Sequence, residues 1–162
     1  MGSYRTRPLR EQDIESIIAI DALLTGASGP DRAGFWRGLL SLYAEPASGE
    51  PDVPPSPSLC VVAEEAGAKS ASPTGVAGFI IGDVQSWQFG IPRHGRIVAI
   101  GVHPSHGRHG VATLLAESLM QTFRKMGLPV VHCLARPGDP LGDFFRSLGF
   151  DSSEFELLEK PL

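Results

Sequence analysis

The sequence predicts one α/β domain built on a mixed, mostly antiparallel sheet with helices on both faces. Two observations predict it. Apolar runs at 58–64, 76–84 and 96–102 succeed one another with polar or small-residue loops between them, as strands of an antiparallel sheet do. The third run is followed by a long amphipathic helix and another apolar run, an order that forms a right-handed parallel βαβ crossover. Both kinds of pairing in one chain make the sheet mixed.

Length and composition suit a single domain covering residues 1–162. We expect two flexible loops in it, at 45–57, which holds five prolines, and at 66–75, which is rich in small residues. The 14 Lys and Arg residues are scattered and the net charge is −4, so nucleic acid is not an expected partner. No apolar run approaches the roughly 20 residues that span a bilayer, and the first residues lack a signal peptide's apolar core. We therefore expect a cytoplasmic protein with no membrane partner.

The first 44 residues predict a short extended stretch and two helices. The first helix has one apolar face, and the second begins at Pro30, where a missing N–H costs nothing. The apolar positions of the two helices are Ile14, Ile17, Ile18 and Leu24, then Phe35, Trp36, Leu39, Leu40 and Tyr43. We expect Phe35 and Trp36 to be core residues.

The helix that opens at Gly110 has the strongest pattern. Its apolar residues keep helical spacing, Gly127 suits a left-handed cap, and Pro129 blocks continuation. A buried strand is predicted at 130–134, and a helix capped by Asp139 and ended by Gly149 follows it. Apolar residues at 155 and 157 alternate with acidic residues at 154 and 156, which predicts a final strand.

The segment between the third strand and this helix is the most informative about function. The strand stops at Pro104, and a loop rich in Gly, Arg and His leads to the helix. The first N–H groups of a helix have no internal partner, and its dipole places about half a positive charge there. A strand that runs through such a loop into a helix predicts a site for a polyanion.

Cys60 and Cys133 each lie in an apolar, strand-like run. We interpret them as small buried hydrophobic residues in a reducing compartment. A disulfide or a nucleophilic thiol is the alternative.

Two motifs about 40 residues apart resemble those of the GNAT superfamily of acyl-CoA N-acyltransferases. Val102-His103-Pro104 followed by Gly110-Val111-Ala112 is similar to the central motif, a strand ending in Val-x-Pro and then Arg/Gln-x-x-Gly-x-Gly/Ala opening a helix. The segment 144–150, with its aromatic pair before Gly-Phe, is similar to the second signature. The order of elements fits nearly the whole chain, so the resemblance implies a GNAT-like fold. It also implies the lining of an acceptor pocket as the alternative role of Phe35 and Trp36.

The resemblance implies acetyl-CoA as co-substrate. Its pyrophosphate would rest on the backbone of residues 107–112, and its pantetheine arm would pair with 100–102 as an added strand. The implied binding residues are Ile100, Gly101, Val102, Gly107, Arg108, His109, Gly110, Val111, Ala112, Thr113 and Phe145. Three positions depart from the family's pattern: Gly107 where the motif has Arg or Gln, Gly138 where Asn is frequent, and Phe145 where a tyrosine often protonates the departing thiolate.

An acceptor amine must be neutral to attack. With a pKa near 10.4, only about 0.04% of it is neutral at pH 7, so deprotonation costs up to ~4.6 kcal/mol without a base. The strand before Val102 offers no carboxylate. We favour Asp83 or His103 as the base, acting directly or through water, and Glu64, Glu65 and His94 remain open.

The leading hypothesis is an enzyme, an N-acetyltransferase that moves an acetyl group from acetyl-CoA to a primary amine of a small molecule or peptide by direct transfer. The alternatives are a non-catalytic CoA-binding sensor or regulatory module and, less favoured, an interaction domain without a cofactor. Members of the family often dimerise, so the resemblance also implies a homodimer. His103, His106 and His109 lie three apart, but Pro104 and Gly107 interrupt the segment, so we expect no metal site.

Overall fold

The computed structural model describes residues 3–26, 30–41, 59–66, 75–86 and 90–161. The predicted loop at 45–57 and Tyr43 lie outside these ranges, as does most of 66–75. Within the described ranges no helix is long and apolar enough to cross a membrane. The elements are β1 (Ser3–Pro8), α1 (Ile14–Thr25), α2 (Pro30–Ser41), β2 (Cys60–Ala66), β3 (Val76–Gln85), β4 (His94–Val102), α3 (Val111–Lys125), β5 (Val131–Cys133) and α4 (Pro140–Ser147).

The five strands form one mixed sheet in the order β1-β2-β3-β4-β5. The first four pair antiparallel, and β5 pairs parallel with β4 after the crossover through α3. This confirms the predicted fold class. β4 begins at His94 and so takes in two residues that the sequence assigned to the preceding loop.

Helices cover both faces of the sheet, and each face has its own core. On one face α3 and α4 pack through Val111, Leu115, Leu119, Phe123 and Phe145 against Val61, Ala63, Ala77, Ile80 and Ile97. On the other, α1 and α2 pack through Ile17, Ile20, Trp36 and Leu40 against Cys60, Val62, Val76, Phe79 and Ile81. We call these the α3 face and the α1 face.

Glycines let α3 lie close to the sheet. A Cβ built on Gly95 of β4 would stand 2.9 Å from the ring of Phe123, and one on Gly82 of β3 would stand 2.7 Å from it. Real Cβ atoms do not come so near a ring, so these two positions need glycine to seat Phe123. Both glycines therefore face α3, and their chain neighbours Asp83 and Arg96 lie on the α1 face.

Three expectations about burial and strands are wrong. Residues 151–161 have no regular secondary structure, and Phe155 and Leu157 are 50% and 73% exposed, so no final strand forms in this part of the structure. The strand at 130–134 is shorter and not fully buried, because Val131–Cys133 lies at the edge of the sheet and Leu134 beyond it is 71% exposed. Phe35 is 58% exposed, whereas its neighbour Trp36 is buried.

Candidate active site

Strands β4 and β5 stay paired over a short length only. Their register joins Gly95, Arg96 and Ile97 to Val131, His132 and Cys133, and the pairing ends there. From Val98 to Val102, no strand of the described chain pairs with β4 on that side. We call this side of 98–102 the open edge.

A β-bulge in β4 coincides with the point where the open edge begins. Ile81 of β3 pairs with Ala99, whereas Gly82 pairs with Ile97, so Val98 is an additional residue. Val98 is 38% exposed in a strand that is otherwise largely covered. No feature of the sequence pointed to this bulge, because a continuous apolar run has no alternating pattern that an additional residue would interrupt.

The direction of the backbone makes the open edge a binding surface. The N–H of His103 donates to the carbonyl of Ala77 on β3 at 2.8 Å. Successive residues of an antiparallel strand point their backbone N–H and C=O groups to opposite sides. The backbone groups of Gly101 therefore also point to β3, whereas those of Ile100 and Val102 point to the open edge. Ile100 and Val102 can therefore pair with an extended, amide-bearing ligand as if it were a strand. Gly101 serves packing, because a Cβ there would meet the Phe79 ring at 2.7 Å.

Beyond the open edge, residues 103–110 form a loop that ends at the N-terminus of α3. The loop opens with a 3₁₀ turn, Pro104–His106, which is capped by the His103 ring. Arg108 and Gly110 both adopt left-handed backbone conformations, with φ of 62° and 77°. Such a conformation costs a non-glycine residue about 1–2 kcal/mol, so the rest of the loop must hold Arg108 in place.

The N-terminus of α3 presents donors and no negative charge. The first helical hydrogen bond is donated by Leu114 to Gly110 at 3.0 Å, which leaves the N–H groups of Val111, Ala112 and Thr113 without a helical acceptor. No side chain caps this end and no acidic residue lies in its first turn. Together with Arg108 and the loop histidines, these donors fit a polyanion.

Asp83 lies on the α1 face, at the level where β4 and β5 part. It pairs in register with Arg96, and the guanidinium donates to both carboxylate oxygens, from Nε to Oδ1 at 3.0 Å and from Nη2 to Oδ2. The Asp83 side chain is 14% exposed. Asp83 is therefore in register with a residue two positions before the start of the open edge, and it lies on the other side of β4 from that edge. Its partner Arg96 was not singled out by sequence reasoning.

His103 lies at the other end of the open edge. Its Nδ1 accepts from the Ser105 hydroxyl at 2.7 Å and from the Ser105 N–H at 3.2 Å. Because one of these donors is a backbone N–H, Nδ1 is the unprotonated nitrogen of this ring. The same nitrogen would have to take a proton if His103 acted as a base, so the cap competes with that role.

The other candidate bases are held elsewhere. Glu64 on β2 accepts from Arg7 at 2.7 Å and from Arg5 at 2.6 Å, and the Arg7 hydrogen bond in particular holds the pKa of Glu64 below its ordinary value. Glu65 pairs with β1 in register. His94 is buried at the start of β4, where its Nδ1 lies 2.8 Å from the Pro92 carbonyl.

His94 also packs against a second imidazole, tilted by 45°, that the sequence gave no reason to notice. The ring centroids of His94 and His132 of β5 are 4.5 Å apart. Burial, and then the charge of His94, lower the pKa of His132. His132 contributes to a cavity of about 410 Å³ between β5, α4 and the C-terminal segment.

Phe145 lies in the core of the α3 face and is 2% exposed. Its ring contacts Phe144 and Phe150, with centroids 5.2 and 5.1 Å away. It borders the same cavity as His132 and has no group that could donate a proton.

Cys60 and Cys133, both in the described part of the chain, form no disulfide. Burial raises the pKa of Cys60 to about 12, and burial likewise raises that of Cys133. Since a thiolate is the nucleophilic form, neither cysteine is activated at neutral pH. Cys60 is buried, as expected, whereas Cys133 is only half-buried, because it lies on the edge strand β5.

Several solved structures share the fold at low identity. A ribosomal-protein-alanine N-acetyltransferase from Brucella melitensis is 15% identical, covers 99% of both chains and superposes with a TM-score of 0.65. Ard1 from Thermoplasma volcanium is 21% identical over 93% of this chain and 84% of its own, with a TM-score of 0.66. An aminoglycoside N-acetyltransferase in complex with CoA is 14% identical over 99% of this chain and 96% of its own, with a TM-score of 0.70.

The sequence itself identifies the family. No curated protein sequence matches the chain. The family model described as "Acetyltransferase (GNAT) family" matches residues 34–150, which include the open edge, the loop at 103–110 and α4. The chain therefore belongs to the GNAT acetyltransferase family.

Proposed function

We propose that the protein transfers an acetyl group from acetyl-CoA to a primary amine of a small molecule or peptide, directly within a ternary complex. The observation that carries the proposal is the continuity between the open edge of β4 and the uncapped N-terminus of α3. The open edge offers the hydrogen-bonding pattern of a strand, and the N-terminus of α3 offers N–H donors for phosphate. A diphosphate joined to an amide-containing arm matches both.

The chain's own groups would hold acetyl-CoA as follows. The N–H groups of Val111, Ala112 and Thr113 and the side chain of Arg108 are placed to bind phosphate. Ile100 and Val102 would pair with the amides of the arm. The bound thioester supplies the activated acetyl group. The relative that contains CoA supports the co-substrate for this fold.

We assign the role of general base to Asp83. Because Asp83 lies on the α1 face, this role requires the acceptor amine to approach from the side of the sheet opposite α3. Both carboxylate oxygens accept from Arg96, yet each keeps a second lone pair for an ammonium group or a bridging water. Holding the amine there and removing its proton would offset part of the ~4.6 kcal/mol deprotonation cost.

Direct transfer is supported by Cys60, whose thiol is buried and has its pKa raised to about 12. Such a thiol stays protonated at neutral pH and is a poor nucleophile for a covalent acetyl intermediate. The departing thiolate is a tolerable leaving group, with a thiol pKa near 8.5. Phe145 cannot protonate it, so solvent at the open edge would do so. The relatives that act on ribosomal-protein alanine or on aminoglycosides support an amine acceptor without selecting one.

The test is a thiol-release assay with acetyl-CoA and a panel of polyamines, aminoglycosides, amino acids and peptides. Turnover with at least one amine is expected, and the initial-velocity lines should intersect as a ternary complex requires. Parallel lines would contradict direct transfer. Calorimetry with CoA checks the binding step separately.

A CoA-binding sensor is the second candidate, and Phe145 is the observation that favours it. A buried phenylalanine stands where a tyrosine acid is frequent in the family. Tight CoA binding with no thiol release across the whole panel would support the sensor and exclude the enzyme.

A further inference from the structure

Tyr4 of β1 contacts the loop at 103–110 although it lies about a hundred residues away in the chain. Its hydroxyl is 3.0 Å from Nδ1 of His106. Its ring meets the His106 ring edge-on, at a centroid distance of 5.7 Å, and also lies 6.5 Å from the ring of His109. One side chain therefore touches the end of the 3₁₀ turn and the residue that precedes the N-cap of α3.

The hydrogen bond between Tyr4 and His106 can run in either direction: the phenol donates to a bare Nδ1, or its oxygen accepts from an Nδ1–H. Burial, and then the charge of Glu65, raise the pKa of Tyr4, so the phenol keeps its proton at neutral pH. A phenol that donates to Nδ1 requires the neutral imidazole to carry its proton on Nε2. His106 is then a donor through Nε2–H in a loop without carboxylates.

The contact also braces the backbone. The N–H of His106 donates to the carbonyl of His103 at 2.8 Å, and the next N–H, of Gly107, donates to Pro104 at 3.2 Å. Arg108, in its left-handed conformation, comes directly after them. The contact of Tyr4 with His106 therefore fixes the end of the 3₁₀ turn and, with it, the position of the strained residue Arg108.

We infer that Tyr4 is a positioning residue for acetyl-CoA: its hydroxyl sets the tautomer of His106, and its ring holds His106 and His109 beside the N-terminus of α3. This inference rests on the proposed function, because it assigns the loop to the phosphates of CoA. Tyr4 itself need not contact the co-substrate.

The first test uses the free protein and needs no ligand. Long-range ¹H–¹⁵N correlation spectra report the tautomer of each histidine, and His106→Gln identifies the signals of His106. We expect His106 to be protonated on Nε2 in the wild type and to become a mixture of tautomers in Tyr4→Phe. A wild-type His106 protonated on Nδ1 would overturn the inference, since Tyr4 would then not be the donor.

The second test measures CoA binding by calorimetry and the two steady-state constants. Loss of one positioning hydrogen bond should weaken CoA binding by about three- to tenfold in Tyr4→Phe and raise KM for acetyl-CoA similarly, with kcat little changed. In a His106→Ala background the same substitution should have no further effect. Arg5→Gln is the matched control, because it removes an exposed ion pair from the same strand and leaves the loop alone.

The outcomes separate the two proposals. If wild-type protein binds CoA and Tyr4→Phe binds it equally well, the inference fails and the proposed function stands. The inference also fails if Arg5→Gln weakens binding as much as Tyr4→Phe does, because the effect would then belong to β1 in general. If the wild type does not bind CoA, both proposals fail.

Discussion

Replacing Asp83 by asparagine tests the chemical assignment most directly. Asp83→Asn preserves the shape of the side chain and removes its ability to take a proton. A positioned general base contributes about 10²–10⁴ in rate, so kcat/KM for the amine should fall by that factor at pH 7.

The structure predicts that this variant stays folded. The Asp83–Arg96 pair is partly open to water, with side chains 14% and 42% exposed. Losing such a pair costs on the order of 0.2–1 kcal/mol, well below the several kcal/mol by which domains are stable. A fall in rate of a hundredfold or more would therefore report the chemistry.

The pH dependence distinguishes a base from a group that only binds the amine. Without a base the enzyme must use amine that is already neutral, a fraction that rises about tenfold per pH unit below pH 10. The rate deficit of Asp83→Asn should thus shrink steadily as the pH rises from 7 to 9. Asp143→Asn is the matched control, because its ion pair with Arg146 is exposed and lies on α4. A variant within twofold of the wild type across this range would refute the assignment.

Three further predictions concern packing, pH and the anion site. Gly95→Ala should destabilise the protein by about 1–3 kcal/mol in urea unfolding, because its Cβ would stand 2.9 Å from Phe123. Phe123→Leu should relieve part of that cost in the double variant. If the destabilisations of the two single variants simply add in the double variant, the packing explanation is contradicted. The pKa of His132 is lowered in the folded protein, so the unfolded chain binds this proton more readily. The free energy of unfolding should therefore decrease as the pH falls below about 6.5. His132→Gln should flatten this pH dependence, and an unchanged slope would exclude His132 as its source. Thr113→Glu places a carboxylate at the α3 N-terminus, where it should stabilise the helix by about 0.3–1 kcal/mol yet weaken CoA binding several-fold. Gln121→Glu in the same helix is its control, and equal CoA affinity in the two variants would argue against phosphate binding at this end.

Local patterns in the sequence predicted most of the fold. The apolar period of α3, the Asp139 cap and the strand–helix–strand order are properties of neighbouring residues, and the structure confirms each of them. The predicted strand near 155 was wrong for the same reason. An alternation of apolar and polar residues forms a strand only when a neighbouring strand pairs with it and its apolar side packs on a core. In the structure Phe155 and Leu157 have no regular pairing.

For the site, the sequence by itself determined the loop and helix N-terminus at 103–113, because a proline, glycines and a following helix are consecutive in the chain. Only the tertiary structure decided that β5 leaves β4 at Ile97, that Val98 bulges there, and that Asp83 faces Arg96. It likewise decided that Tyr4 reaches His106 across the sheet. Register, bulges and long-range contacts depend on which strands and helices pack together, and no local run of residues encodes that choice.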